Sequence, residues 1–85
     1  MKSEKTIQKI LSGTSDNNLI FDEVVSLLKA LKFEYRIKGS HHIFFMEGIE
    51  EIINLQPRGS KAKPYQIKQV RNLILKYKLG ERINE

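Results

Sequence analysis

The sequence has no cysteine among its 85 residues. Disulfide scaffolds, thiolate zinc sites and cysteine nucleophiles are thereby excluded. No apolar run approaches the roughly 18 residues that a membrane span requires. The first residues carry no signal-like apolar stretch, so a cytoplasmic location is expected. A chain of 85 residues holds one compact domain and is too short for a Rossmann or barrel enzyme, so no cofactor is expected. Acidic residues are missing from the whole stretch between Ile52 and Gly80. That stretch holds seven bases: Arg58, Lys61, Lys63, Lys68, Arg71, Lys76 and Lys78. The rest of the chain holds eight bases and ten acids, so the net charge of +5 is concentrated in the C-terminal third. A one-sided basic surface attracts polyanions, nucleic acid above all. A solvated lysine-rich helix has the same charge pattern.

Hydrophobic residues make up 40% and charged residues 29% of the chain, an ordinary globular balance. The spacing of Ile7, Ile10 and Leu11 predicts a short helix over Glu4 to Ser12, with Ser3 as its cap. A loop rich in turn formers follows from Gly13 to Asn18. Phe21, Val24, Leu27, Leu28 and Leu31 form the stripe of a second helix, predicted to run to about Lys32 without a side-chain cap at Ile20. Asp22 and Glu23 suit its first turn. Alternation then takes over. Phe33, Tyr35 and Ile37 predict one strand, a second covers about Ser40 to Met46, and a third Glu51 to Gln56, with turns at Gly39 and Glu47-Gly48. Pro57 to Ser60 ends the third strand, and Lys61 to Lys63 read as a basic link. Pro64 opens a last helix to about Lys78, with Gly80 as its stop. Short links make the three strands antiparallel. The expected fold class is α+β, a two-layer sandwich of helices on a three-stranded antiparallel sheet.

Only two histidines are present, His41 and His42. As neighbours in a strand they point to opposite faces and cannot share one metal ion, so no metal site is expected. One face carries Ser40, His42, Phe44 and Met46, the other His41, Ile43 and Phe45; alternation alone leaves open which meets the helices. Both faces are apolar for a sheet with helices on one side, which calls for a second cover: the N-terminal helix or a partner protein. With an unperturbed pKa of about 6.5, histidine suits proton transfer near neutrality. RNA supplies its own nucleophile, the 2′-hydroxyl, and nearby Lys or Arg can stabilise charge on the phosphoryl oxygens. A small basic protein with one well-placed histidine can therefore be a metal-free ribonuclease. A structural histidine is the plain alternative.

The run Gly39-Ser40-His41-His42-Ile43-Phe44 follows an amphipathic helix, ending Leu28-Lys29-Ala30-Leu31-Lys32-Phe33, and a strand of hydrophobic-basic alternation. Across about Phe21 to Leu79 the chain resembles the HicA (YcfA-like) toxin family of type II toxin–antitoxin systems. That family is marked by Gly-Ser-His at the start of the second strand and an aromatic three residues after the histidine, here Phe44. The resemblance implies a double-stranded RNA-binding-domain-like α-β-β-β-α fold over residues 21–80, with residues 1–20 as an N-terminal helix and linker extension. It implies an mRNA interferase activity, with His41 as the single catalytic histidine and His42 turned to the core with Phe44. It also implies a HicB-like antitoxin as protein partner. The link from Gln56 to Lys63 is longer and more basic than in many members.

On this reading His41 is the general acid/base, and Lys38, Arg58, Lys61, Lys63 and Lys68 are candidates for RNA phosphate contacts. Gly39 and Ser40 form the active-site turn, and Ile43, Phe45 and Ile52 the partner interface. Ser40 is otherwise a small core-side residue. Two non-catalytic readings compete. One is an RNA-binding module using Lys61, Lys63 and Lys68. The other is a DNA-binding regulator whose last helix brings Gln66, Gln69 and Arg71 to base edges. Tyr35, Phe45 and Tyr65 are available to stack bases or to pack.

Overall fold

A computed structural model describes residues 2–84. Its elements are α1 (Lys2–Ser12), α2 (Phe21–Ala30), β1 (Glu34–Lys38), β2 (His41–Met46), β3 (Ile49–Leu55), β4 (Pro57–Arg58), β5 (Lys61–Ala62) and α3 (Pro64–Lys76), followed by a 3-10 helix, Leu79–Asn84. The three long strands form an antiparallel sheet in the order β1-β2-β3. The protein is α+β in the order α-β-β-β-α, with α1 added at the front.

The apolar stripes of α2 and α3 meet one face of the sheet. Val24, Leu27 and Leu28 of α2 and Ile67 and Val70 of α3 close over Phe44, Ile53 and Leu55, and all are fully buried. Ile7, Ile10 and Leu19 are buried in the same core, so α1 and the loop behind it belong to one packed unit with the rest. α1 lies against α2, α3 and the terminal 3-10 turn. The N-terminal helix therefore reinforces the helical layer and is not the cover of the opposite sheet face, which removes one of the two covers considered above. Leu11, expected on the buried stripe of α1, is 40% exposed. It rims a shallow apolar groove with Ile7, Ile74 and Leu75.

α1 begins at Lys2, so Ser3 lies inside the helix and is not its cap, and β3 begins at Ile49, two residues early. Three further boundaries shift for local reasons. α2 stops at Ala30, two residues early, because Lys32 takes a left-handed φ of 74°. Phe33 N–H then reaches back to the Leu28 carbonyl and Lys32 N–H to that of Lys29, the closing pattern of a Schellman turn. α3 ends at Lys76 with Lys78 at a left-handed φ of 54° and its N–H 3.4 Å from the Leu75 carbonyl, so Gly80 is not the stop and the chain runs on with Leu79 fully buried. The segment read as a strand end and a basic link is a hairpin, β4–β5. This hairpin docks on the start of α2: Phe21 N–H donates to the Ser60 carbonyl at 3.0 Å and Ala62 N–H to that of Leu19 at 2.9 Å. Ile20 gives α2 no side-chain cap, and the Ser60 carbonyl takes up one of the donors that a helix start leaves open. Among the described residues no helix is long and apolar enough to cross a membrane.

Two ionic clusters tie distant elements. Arg71 of α3 forms a bidentate pair with Asp16, its nearest contact 3.0 Å, and also donates to the Ile10 carbonyl at the end of α1. On β3, Glu51 accepts from the Tyr77 hydroxyl at 2.6 Å and from Lys76 Nζ at 2.8 Å. These bonds, Lys76 first and Tyr77 second, hold the Glu51 carboxyl down at about 2, below its ordinary 4.5. A carboxyl lowered by folding stabilises the fold fully above its ordinary value and loses that contribution as pH falls toward the lowered one. The denaturation midpoint of the parent is expected to fall between pH 4.5 and 2. Glu51→Gln should show a shallower acid limb in urea titrations at pH 7 and pH 3, and equal slopes would show that the clamp does not couple to folding.

Candidate active site on the open face of the sheet

β2 is the central strand, paired on both sides, so the directions of its side chains are set by two ladders. β1 and β2 register as Lys38 with His41, Arg36 with Ile43 and Glu34 with Phe45, and β3 brings Asn54 opposite Ile43. Residues paired across antiparallel strands share a face. Arg36, Lys38, His41, Ile43, Phe45 and Asn54 thus stand together on the face turned away from the helices, and Ile52 joins them two residues before Asn54.

The two histidines are separated as alternation requires. His42 lies on the helical side, half-buried, its ring edge-on to Phe21 with centroids 4.9 Å apart. Its Nδ1 is 3.3 Å from the Ser40 carbonyl, which links the ring to the preceding turn. His41 is exposed on the open face, with Nδ1 3.1 Å from Asn54 Oδ1. A carbonyl oxygen only accepts, so this bond forms when Nδ1 carries the proton, which leaves the lone pair of the neutral ring on Nε2. Gly39 and Ser40 are the two residues between the paired Lys38 and His41. Gly39 has φ +60°, the left-handed value that such tight turns demand and that glycine adopts without strain.

Ser40 is exposed rather than core-side, and its Oγ accepts from Gln56 Nε2 at 3.1 Å. Gln56 Oε1 in turn accepts from Lys63 Nζ at 3.0 Å. This polar relay ties an ammonium group at the start of α3 to the turn beside His41. Of the five cations singled out in the sequence, Lys38 sits opposite His41 and Lys63 is joined to its turn. Lys61 leans instead to Asn18 Oδ1 at 3.3 Å. Arg58 is exposed on the β4–β5 hairpin, and Lys68 is exposed on α3 opposite its buried stripe. Ile43 and Phe45 are half-buried, while Ile52 is 59% exposed.

Sequence reading missed three members of this surface. Asn54 comes from β3 and Gln56 directly follows that strand, and no local signal marks either; the register reveals Asn54 and the bond to Ser40 reveals Gln56. Arg36, whose guanidinium lies 5.5 Å from the Phe45 ring centroid, was visible only as part of an alternation. The three aromatics considered for base stacking do not converge. Tyr35 is on the helical side against Phe44, with Lys29 over its ring, and Tyr65 is exposed at the start of α3. The recognition-helix reading loses its side chains. Gln66 is buried and accepts from Gln56 N–H, Gln69 donates to the Ile52 carbonyl, and Arg71 is held by Asp16. Among the described residues no three His, Asp or Glu side chains are grouped to hold a metal ion. Comparisons with family models, with curated proteins and with solved structures found no match to this chain.

The exposure difference has a direct chemical readout. Diethyl pyrocarbonate, which acylates unprotonated imidazole nitrogen, should modify His41 well before His42 in the folded protein, as followed by peptide mass mapping. Equal rates would show that the Phe21 edge leaves His42 open.

Proposed function

We propose that the chain is a HicA-like toxin: a metal-independent endoribonuclease that cleaves mRNA in the cytoplasm and is restrained by a HicB-like antitoxin protein. The reading includes a fold similar to the double-stranded RNA-binding domain, as the resemblance over Phe21 to Leu79 implies. The observation that carries it is His41: an exposed imidazole with Nε2 free, on an open sheet face, with the Lys38 ammonium opposite it in the register. The chemistry follows from those groups. Nε2 takes the proton of the RNA 2′-hydroxyl, the O2′–P bond forms, and the P–O5′ bond breaks. The products are a 2′,3′-cyclic phosphate and a 5′-hydroxyl, whose proton comes from the imidazolium just formed. Lys38 is suited to stabilising charge on the phosphoryl oxygens, and Lys63 to holding a neighbouring phosphate. No cofactor takes part.

Purified protein should cleave single-stranded RNA in the presence of EDTA, and His41→Ala should abolish cleavage while leaving the circular dichroism spectrum unchanged. Loss of a general acid/base costs about 10²–10⁴-fold in rate. Unchanged cleavage by His41→Ala would remove the site assignment, and a parent that binds RNA without cleaving it would leave a binding module of the same fold as the better reading. His42→Ala is not an equivalent control, because that ring packs on Phe21.

The antitoxin part of the proposal is supported by the uncovered patch. Ile43, Phe45 and Ile52 continue the open face from His41 as apolar surface that α1, packed on the other layer, does not reach. A partner lying there blocks RNA by occlusion alone. Phe45→Glu should abolish binding of the antitoxin in a pull-down with the protein still folded, and binding of unchanged affinity would put the partner elsewhere.

A further inference from the structure

We infer that Asn54 is the positioning residue of this site: its side-chain carbonyl holds His41 in the tautomer that leaves Nε2 bare on the open face. That Nε2 is the reacting atom rests on the nuclease reading above; the tautomer itself does not. Neutral imidazole exchanges between two tautomers, and the one present is set by the hydrogen bond the other nitrogen makes. Around His41 the nearest acceptor is Asn54 Oδ1, 3.1 Å from Nδ1. Lys38, opposite on β1, has only donors and cannot accept the Nδ1 proton.

The backbone makes the pair rigid. Asn54 lies on β3 opposite Ile43, two residues along the same face from His41, and both strands are held in the ladder. Groups on paired strands are positioned more tightly than groups on loops. Asparagine is also a costly choice at 54. It is depleted in strands, whereas the neighbouring open-face position on β3 is Ile52. An aliphatic residue would suit the strand and extend the apolar patch, but it would leave Nδ1 to water in place of a fixed acceptor. The net worth of one exposed hydrogen bond corresponds to roughly fivefold in a population ratio, enough to change which nitrogen of an exposed imidazole carries the proton.

The test uses the full chain and two variants. Two-bond ¹H–¹⁵N correlation spectra at a pH where His41 is neutral report which ring nitrogen is protonated, without any assay of activity. The parent should show Nδ1–H, and Asn54→Ala should shift the ratio roughly fivefold toward Nε2–H. Asn54→Asp, which keeps an acceptor oxygen in place at similar size, should retain Nδ1–H. In RNA cleavage, Asn54→Ala should lower kcat by a similar factor with KM little changed, and Asn54→Asp should restore it. A parent His41 protonated on Nε2, or a ratio unmoved by Asn54→Ala, overturns the assignment. If the parent cleaves no RNA, the nuclease reading fails by itself, and the ring spectra alone decide the role of Asn54.

Discussion

Phe44 is fully buried in the middle of the central strand, and its burial decides which way every residue of β2 points. Its ring sits under α2 and α3 with Ile53 and Leu55 from the next strand. Because side chains alternate with a period of two, moving Phe44 by one position would turn His41 and Phe45 under the helices and expose the core. Such a slip exposes Phe44 and puts Phe45 under the helices in its place. It also leaves His41 to find buried partners, at about 1–3 kcal/mol if it finds none. The exposed imidazole of the open face is thus maintained by an apolar residue three positions away that never touches it.

The surface around that imidazole depends on contacts that bypass the chain's local order. Ser40, Gln56 and Lys63 form one relay from the β1–β2 turn to the start of α3. Gln66 completes it by accepting from the Gln56 backbone. The β4–β5 hairpin hangs from the same segment and docks its Ser60 carbonyl on the start of α2. Lys63 is therefore steered toward the turn by Gln56, while Lys61, two residues earlier in the chain, is drawn to Asn18 on the other side of the hairpin. Arg71 spends its positive charge in the same structural way, joining α1, the loop at Asp16 and α3. The acid-free stretch from Ile52 to Gly80 is consequently not one basic face: part of it holds the fold together and part remains available to a polyanion.

Much of this architecture was legible in the sequence, and the parts that were not share a cause. Helical stripes, the alternation of three strands, the turns at Gly39 and Glu47-Gly48, and the separation of His41 from His42 are all patterns within a window of a few residues. Local sterics and burial impose them, so they can be read locally. The early end of α2 was missed because a lysine, not a glycine, adopts the left-handed conformation at position 32. Leu11 was placed on the wrong side because α1 has neighbours on only part of its apolar arc, and the groove beside α3 leaves that residue at its rim.

The sequence by itself determined the element types, their antiparallel order, the opposition of the two histidines and the concentration of base in the last third. Only the tertiary structure decided which sheet face met the helices, where α1 went, that the basic link folds as a hairpin, and that Asn54 partners His41. It also engaged Gln66, Gln69 and Arg71 in bonds to Gln56, Ile52 and Asp16. The physical reason is range. A helix stripe or a strand alternation is complete within one element, whereas His41 meets Asn54 across 13 positions and Arg71 meets the Ile10 carbonyl across 61. Which donor finds which acceptor over such separations is set by register and packing, and these exist only once the core has closed.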